Sequence, residues 1–179
     1  MDQYYTLTVA GLTRQLPLCP VSESLDIAAF VMFSDVELTV ACATELIKMA
    51  PEHDVLITAE SKGIPLAYEM SRQSGKKYLL ARKSAKLYMK DPIRVEVKSI
   101  TTARIQELYI DRDDINDLKG KRVLVVDDVI STGESLNALQ SLVDQAGGQV
   151  VAKMAVLAEG DAAERKDILF LEKLPLFFK

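Results

Sequence analysis

The chain has 179 residues, of which 49% are hydrophobic and 27% charged, and a formal net charge of −4. That length is enough for one well-buried core, and the composition is that of an ordinary globular protein. The acidic balance, with no block of Lys or Arg, argues against nucleic acid or an anionic membrane as the main partner. The longest nearly apolar run, Leu25 to Phe33, is far too short to span a bilayer. Met1 to Ala10 carries an early Asp and alternation, with neither a charged leader nor an apolar stretch behind it, so the chain reads as soluble, untargeted and cytoplasmic. Cys19 and Cys42 stand apart without a CxxC or a His neighbour, as expected of buried thiols in a reducing compartment, and His53 between Glu52 and Asp54 reads as a loop residue.

In chain order, Tyr4 to Val9 and Leu12 to Leu18 are β-like runs separated by Ala10-Gly11, a hairpin that Pro17 and Pro20 should end. Ser34-Asp35-Val36-Glu37 spells a capping box with Ser34 as N-cap, opening a helix whose apolar face is Val36, Val40, Ala43, Ile47 and Ala50. Val55 to Ala59 is a short strand, followed by the turn Glu60-Ser61-Lys62-Gly63 and a helix to about Gln73 with Gly75 past its end. Lys77 to Ala81 is the next strand, so two strands joined by a helical crossover argue for a parallel sheet. Residues 82–92 bring four cations with little periodicity, and lead into β-like Ile93 to Thr101 and Ile105 to Ile110, a long hairpin or loop.

Val123 to Val126 is a fully apolar β run, as expected of a strand covered on both faces, and it meets Asp127 and Asp128 just beyond its end. Ser131 to Glu134 reads as a second capping box with Ser131 as N-cap, and Leu136, Leu139, Leu142 and Val143 recur at helical spacing. A helix starting near Thr132 presents free N–H groups and a positive dipole end, and Gly133 lets the main chain approach a ligand, so an anion is the natural guest. Paired carboxylates repel a bare phosphate. The guest must therefore also carry hydroxyls or a hard cation. Gly147-Gly148 closes this helix, Val150 to Leu157 is another strand, and Ile168 to Leu171 a short one.

Four apolar residues, two acids, two mostly apolar residues and Ser-Thr-Gly-x-Ser resemble the 5-phosphoribosyl 1-pyrophosphate (PRPP) motif of type I phosphoribosyltransferases. The order of parts from about Leu16 onward is similar to the purine group, the adenine enzymes in particular. The same apolar-acidic run opens receiver domains, but there it lies near the start of a domain of about 120 residues, and here only about fifty residues follow.

The resemblance implies an α/β fold with a central, mostly parallel sheet flanked by helices, one domain over residues 1–179. Residues 1–34 with the C-terminal tail would form a small hood over the base, and residues 82–104 a flexible β-hairpin loop. It implies that Asp127 and Asp128 hold the ribose hydroxyls, with Mg²⁺ carried mainly by PRPP and touched by these acids. Ser131, Thr132, Gly133, Glu134 and Ser135 would wrap the 5′-phosphate, although Glu134 stands where a small or basic residue is commoner. Glu60, Ser61, Lys62 and Gly63 would hold pyrophosphate, with a cis peptide expected at Ser61-Lys62, and Arg82, Lys83 and Lys86 would close over it. Asp127, Asp128, Lys62 and Arg82 would be catalytic, and Glu159 and Val129 would meet the base. Thr101 and Thr102 occupy the place of the Glu-Tyr pair usual in the adenine enzymes, which leaves adenine open against xanthine or guanine. The activity implied is phosphoribosyl transfer to a purine, giving a nucleoside monophosphate and pyrophosphate in a cytoplasmic homodimer of purine salvage. A PRPP-binding regulator without turnover would retain the same acids and loop.

Overall fold

The computed structural model describes residues 3–98 and 105–179. The chain begins with β1 (Tyr4–Val9), β2 (Leu12–Ser22) and β3 (Leu25–Ala28), followed by α1 (Val36–Met49), β4 (Val55–Ala59), α2 (Ile64–Ser74) and β5 (Lys77–Ala81). It continues through β6 (Ile93–Lys98), β7 (Ile105–Ile110), α3 (Arg112–Leu118), β8 (Arg122–Ile130), α4 (Glu134–Gln145), β9 (Gln149–Glu159), a 3₁₀ turn, β10 (Leu169–Leu174) and β11 (Leu176–Phe178).

Strands β10-β9-β8-β4-β5 form a five-stranded sheet whose neighbours are all parallel. Each central strand alternates between two cores. Val55, Ile57, Val123 and Val125 pack with Leu136, Leu139, Leu142 and Val143 of α4, whereas Leu56, Leu124 and Val126 pack with Leu38 and Leu46 of α1 and Leu66 and Met70 of α2. The apolar run of β8 thus has no polar alternation because helices cover it on both sides. A second sheet, β1-β2-β3-β11, lies over the α1–α2 side through Leu7, Val9 and Leu16, and β6 pairs with β7 alone.

Ala10 and Gly11 both have positive φ, 51° and 76°, which is the pair of left-handed residues that a two-residue hairpin turn needs. The prolines do not end β2. Pro17 is its last residue paired with β1, and Pro20 lies beyond that pairing opposite Asp26 of β3, so the missing N–H groups fall where one ladder gives way to the next. Helix α1 is capped by Asp35, not Ser34: the Asp35 carboxylate accepts the Leu38 N–H at 3.1 Å, while Ser34 has φ 67°. Arg14 of β2 holds the same carboxylate at 2.7 Å, fixing the β1-β2-β3-β11 sheet to α1 and keeping Asp35 below the usual carboxylate range. The buried face of α1 is Leu38, Cys42, Ala43 and Leu46, whereas Val36 and Val40 of the expected face are exposed; a helix apolar nearly all round leaves periodicity unable to choose its inner side. Cys19 is only half-buried, and His53, a loop residue, is buried with its Nδ1 2.8 Å from the Pro51 carbonyl.

Helix α3 escaped the sequence reading because Asp113, Asp114 and Asp117 leave only Ile115 and Leu118 to mark a period. Thr101 and Thr102, at the far end of the expected flexible loop, lie outside the described residues.

At the N-terminal edge of the sheet, Arg122 clamps β8 to the chain entering β4. Its N–H and its Nη2 each meet the Asp54 carboxylate at 2.9 Å, and the Asp54 N–H returns to the Arg122 carbonyl at 2.9 Å. These bonds hold the Asp54 carboxyl well below its usual range. A depressed folded-state pKa adds stability above the unfolded value, about 3.9, and that stability is lost as pH falls. Replacement Asp54→Asn should therefore lower Tm at pH 7 by more than it does near pH 3. A gap that is constant between those two pH values would refute this role.

Candidate active site

The ladder between β4 and β8 stops early. Val55, Leu56 and Ile57 pair with Val123, Leu124 and Val125, and beyond them β4 pairs only with β5 while β8 continues against β9 to Ile130. The helices that follow these two strands pack on opposite faces, α2 on one and α4 on the other. A crevice at the carboxyl ends of two such strands is where open α/β sheets bind ligands. It holds a cleft of about 350 Å³ lined by residues of the turn after β4, the end of β8, the start of α4, the end of β9, the hood and Leu174.

Asp127 and Asp128 lie within β8, not past its end, because β9 is long enough to pair Asp127 with Ala155 and Ile130 with Ala158. The Asp128 N–H donates to Asp127 Oδ1 at 2.8 Å. Burial first, and then the charge of Asp128, push the Asp127 carboxyl well above its ordinary range, and Lys83 opposes this. Asp128 is 5% exposed, and its Oδ2 is buried without a protein hydrogen-bond partner. A buried carboxylate oxygen without a partner, on a residue that lines a cleft, calls for a hydroxyl or a cation from a ligand.

After β8 the chain turns through Ser131 to Gly133, and α4 begins at Glu134. Gly133, with φ 81°, is its N-cap, and no side chain caps the helix. Ser131 is therefore not the N-cap; the left-handed Gly133 turns the chain one residue before the helix, and the Glu134 N–H reaches Thr132 Oγ1 at 3.4 Å. A concavity of about 40 Å³ results, with Ser131, Thr132, Gly133, Glu134 and Ser135 around it and Asp127 and Val129 at its edge. With the dipole of α4 behind it, the turn is built for an anion.

Across the crevice, β4 runs into Glu60-Ser61-Lys62-Gly63. The cis peptide is Glu60–Ser61, one bond before the expected Ser61-Lys62; neither bond precedes a proline, so no local signal distinguishes them. Gly63 has an ordinary φ of −78°, and its need is for space: a Cβ there would lie 2.5 Å from Thr58 Oγ1 and 3.2 Å from Asp127 Oδ1. Glu60, Ser61 and Lys62 line the cleft. Glu60 is also a clamp, its carboxylate 2.8 Å from Arg82 Nε and accepting the Lys83 N–H at 2.7 Å.

Of the cations expected here, Lys62 and Lys83 line the cleft. Arg82 is held at its margin by Glu60 and by paired main-chain bonds to Tyr109 at 2.8 Å, and Lys86 donates to Ser84 Oγ at 2.8 Å; neither lines the cleft. At the other end, Glu159 shares the wall with Val129, Leu174 and the hood residues Ile27 to Phe30. Burial raises the Glu159 carboxyl and the charge of Lys62 lowers it. Thr58, Leu174 and Ile27 to Phe30 carry no motif: Ile27 to Phe30 fall within the expected 1–34 segment and Leu174 in the C-terminal tail, but tertiary packing alone brings them to the cleft and sets Thr58 against Gly63.

Among the described residues, no group of three or more His, Cys, Asp or Glu side chains is placed to hold a metal ion. The unpartnered Asp128 Oδ2 beside Asp127 does fit a cation that arrives with most of its ligands on a bound molecule. No helix among these residues is long and apolar enough to cross a membrane.

The phosphoribosyl transferase domain family matches residues 40–174, and the chain belongs to that family. It is 34% identical over 119 residues to the adenine phosphoribosyltransferase of Thermosipho africanus, covering 66% of each chain. It is 33% identical over 123 residues to the hypoxanthine/guanine phosphoribosyltransferase of Methanothermococcus okinawensis, covering 68% of this chain and 63% of that one. The matched segment thus spans slightly under two thirds of these relatives. The crystal structure of adenine phosphoribosyltransferase from Thermoanaerobacter pseudethanolicus superposes with a TM-score of 0.70 at 20% identity, over 88% of this chain and 95% of that one, so the fold is the type I phosphoribosyltransferase fold.

Gly63→Ala should push the turn off Asp127 and lower activity at least tenfold and, because Gly63 and Thr58 are both buried, lower Tm as well. Adding Thr58→Ala removes the nearest obstacle and should restore part of the loss. A Gly63→Ala protein with unchanged activity would show that the close approach is incidental.

Proposed function

We propose that the protein transfers the 5-phosphoribosyl group of PRPP to a ring nitrogen of a purine, adenine foremost, giving the nucleoside monophosphate and pyrophosphate in purine salvage. The observation that carries this reading is the placing of Asp127 and Asp128 between two anion-holding turns, Ser131–Ser135 on one side and Glu60–Gly63 on the other. A sugar bearing phosphate at one end and pyrophosphate at the other meets all three at once.

In this reading the bond from the anomeric carbon to pyrophosphate breaks with its electron pair leaving on oxygen. The purine nitrogen supplies the pair for the new bond and loses its proton. Asp127 and Asp128 accept the ribose hydroxyls and stabilise the positive charge developing on the sugar. Lys62 and Lys83 stabilise the departing pyrophosphate, with the Ser61 and Gly63 main chain beside it. Arg82 acts from the margin, orienting Glu60 and the start of the basic segment, and Lys86 reaches the pyrophosphate only if residues 82–104 fold inward. Mg²⁺, bound with PRPP, neutralises its pyrophosphate oxygens.

Glu159 accepts a hydrogen bond from the base, which suits the exocyclic amine of adenine better than a ring carbonyl. The relative named as a hypoxanthine/guanine enzyme keeps that second reading open. The hood, residues 1–34 with the tail, covers the base. Free thiols at Cys19 and Cys42 suit a cytoplasmic setting, and exposed Val36, Val40 and Tyr68 on α1 and α2 suit a homodimer.

A panel of free purines with PRPP and Mg²⁺, scored for pyrophosphate release, tests the reading. Adenine should turn over fastest. Asp127→Asn with Asp128→Asn should lower kcat by about a hundredfold or more, with PRPP binding partly retained, since each 1.4 kcal/mol lost from the transition state is roughly tenfold in rate. Tight PRPP binding without pyrophosphate release for any base would make the protein a PRPP-binding regulator.

A further inference from the structure

The loop after β8 brings a carboxylate, Glu134, and no cation. The described residues that line its concavity add only a second acid, Asp127. A phosphate monoester carries a charge of about −1.5 to −2 at neutral pH, and a helix N-terminus offers roughly half a positive charge. Main-chain N–H groups can orient such an anion, but the charge balance around it is incomplete.

Arg165 lies against this loop. It follows the 3₁₀ turn after β9, and its fork is directed by Asp167: Nε donates to Oδ1 at 2.9 Å and Nη2 to Oδ2 at 2.7 Å. Lys153 approaches the same carboxylate at 3.8 Å, so Asp167 is anchored from two sides, and Arg165 keeps its carboxyl down at about 2. With Nε and Nη2 occupied, Nη1 is the edge turned toward the loop. A Cβ built on Gly133 would lie 2.4 Å from Nη1 and 3.6 Å from Cζ, with nothing else inside 4 Å. The guanidinium therefore fills the space a side chain at Gly133 would take. That gives Gly133 a second reason to be glycine beside its φ of 81°.

We propose that Arg165 is a positioning residue of the 5′-phosphate site: Asp167 fixes its guanidinium against the Gly133 main chain, where it supplies the positive charge that the loop lacks. The assignment rests on Ser131–Ser135 being the cradle for the phosphate of a phosphosugar. Arg165 works through the loop and the local field, since it does not itself line the concavity. The 5′-phosphate is remote from the reacting carbon, so the contribution is to binding common to ground and transition states.

The test uses the whole chain, with ribose 5-phosphate and Mg²⁺-pyrophosphate as separate calorimetric probes. Arg165→Met keeps the apolar stem without the charge. It should weaken ribose 5-phosphate about tenfold or more, leave pyrophosphate within about twofold, and raise the KM for PRPP with kcat nearly unchanged. Arg165→Lys should recover part of the affinity, and Asp167→Asn, which frees the fork but keeps the charge, should give an intermediate loss. The fall of ribose 5-phosphate affinity with added salt should be shallower in Arg165→Met than in wild type. If all three variants bind ribose 5-phosphate as wild type does, or if ribose 5-phosphate and pyrophosphate weaken in parallel with Tm, Arg165 only braces the chain between β9 and β10. A wild type that binds pyrophosphate but no ribose 5-phosphate would overturn the cradle reading itself, and the Arg165 assignment with it.

Discussion

The site exists because one hydrogen-bonded ladder ends before another. Strand β8 leaves β4 after Val125 yet stays paired with β9 as far as Ile130, so its last five residues are rigid on one side and open on the other. Asp127 and Asp128 fall in that stretch. Had β8 ended at Val126, the two carboxylates would sit on a loop, where side chains are held less firmly and reach water freely. The opening needs something to keep the strands together at their other ends, and the Arg122–Asp54 clamp is placed there. The two cores then send α2 and α4 to opposite faces, which brings a different turn to each side of the same gap.

Two adjacent acids in a buried crevice are costly, and their surroundings show how the cost is contained. The Asp128 N–H satisfies one oxygen of Asp127, while Lys83 opposes the rise in the Asp127 carboxyl. Asp128 Oδ2 has no protein partner. A folded protein that leaves such an oxygen buried has either an unmet loss of solvation or a ligand to meet it. The anion-holding turns on both flanks favour the ligand. The cations that face the crevice come from the strand ends at Lys62 and Lys83, while Glu60 restrains Arg82, so the positive charge lies on the Glu60–Gly63 side. That leaves the α4 side with main-chain N–H groups and the hydroxyls of Ser131, Thr132 and Ser135, and with no cation among the described lining residues unless Arg165 contributes, which is why a residue far along the chain bears on a loop near the middle of it.

What the sequence disclosed follows from the range of the forces involved. The four-residue apolar run of β8, the Ala10-Gly11 turn and Gly75 after α2 are local signals, and each stands where it was expected. The acids and the two turns that flank them stood out because charge and glycine at a strand end have few other uses, and the structure places all of them around one crevice. The two capping boxes misplaced their N-caps by one or two residues. Ser, Thr, Asp and Gly neighbours all compete to cap, and the winners were chosen by remote partners, Arg14 for Asp35 and the left-handed turn for Gly133. The inner face of α1 was misjudged because Val36 and Val40 are as apolar as Leu38 and Leu46. Phe30 and Arg165 were not singled out, since only the folded chain brings Phe30 to the cleft and Arg165 against Gly133.

The end of the cleft that would take the base is the part least written in local sequence, for a structural reason. Ile27 and Ala28 reach it on β3, a strand of four residues held between β2 and β11. The last residue completes the support: Lys179 Nζ lies 2.8 Å from Asp26 Oδ1, and its N–H donates to the Ser24 carbonyl at 3.0 Å. Leu174, at the end of β10, packs into the same core as Ala28 and Phe30. This wall of the cleft is therefore an assembly of β3 and the C-terminal strands against the sheet, with Glu159 from β9 as the acid among mainly apolar neighbours. Apolar contacts discriminate poorly between purines of nearly equal shape, whereas one buried hydrogen-bonding group discriminates strongly. In the proposed reading, the choice among purines would depend on how β3 and Leu174 set Glu159 relative to the ring, a matter of tertiary position that motifs do not record.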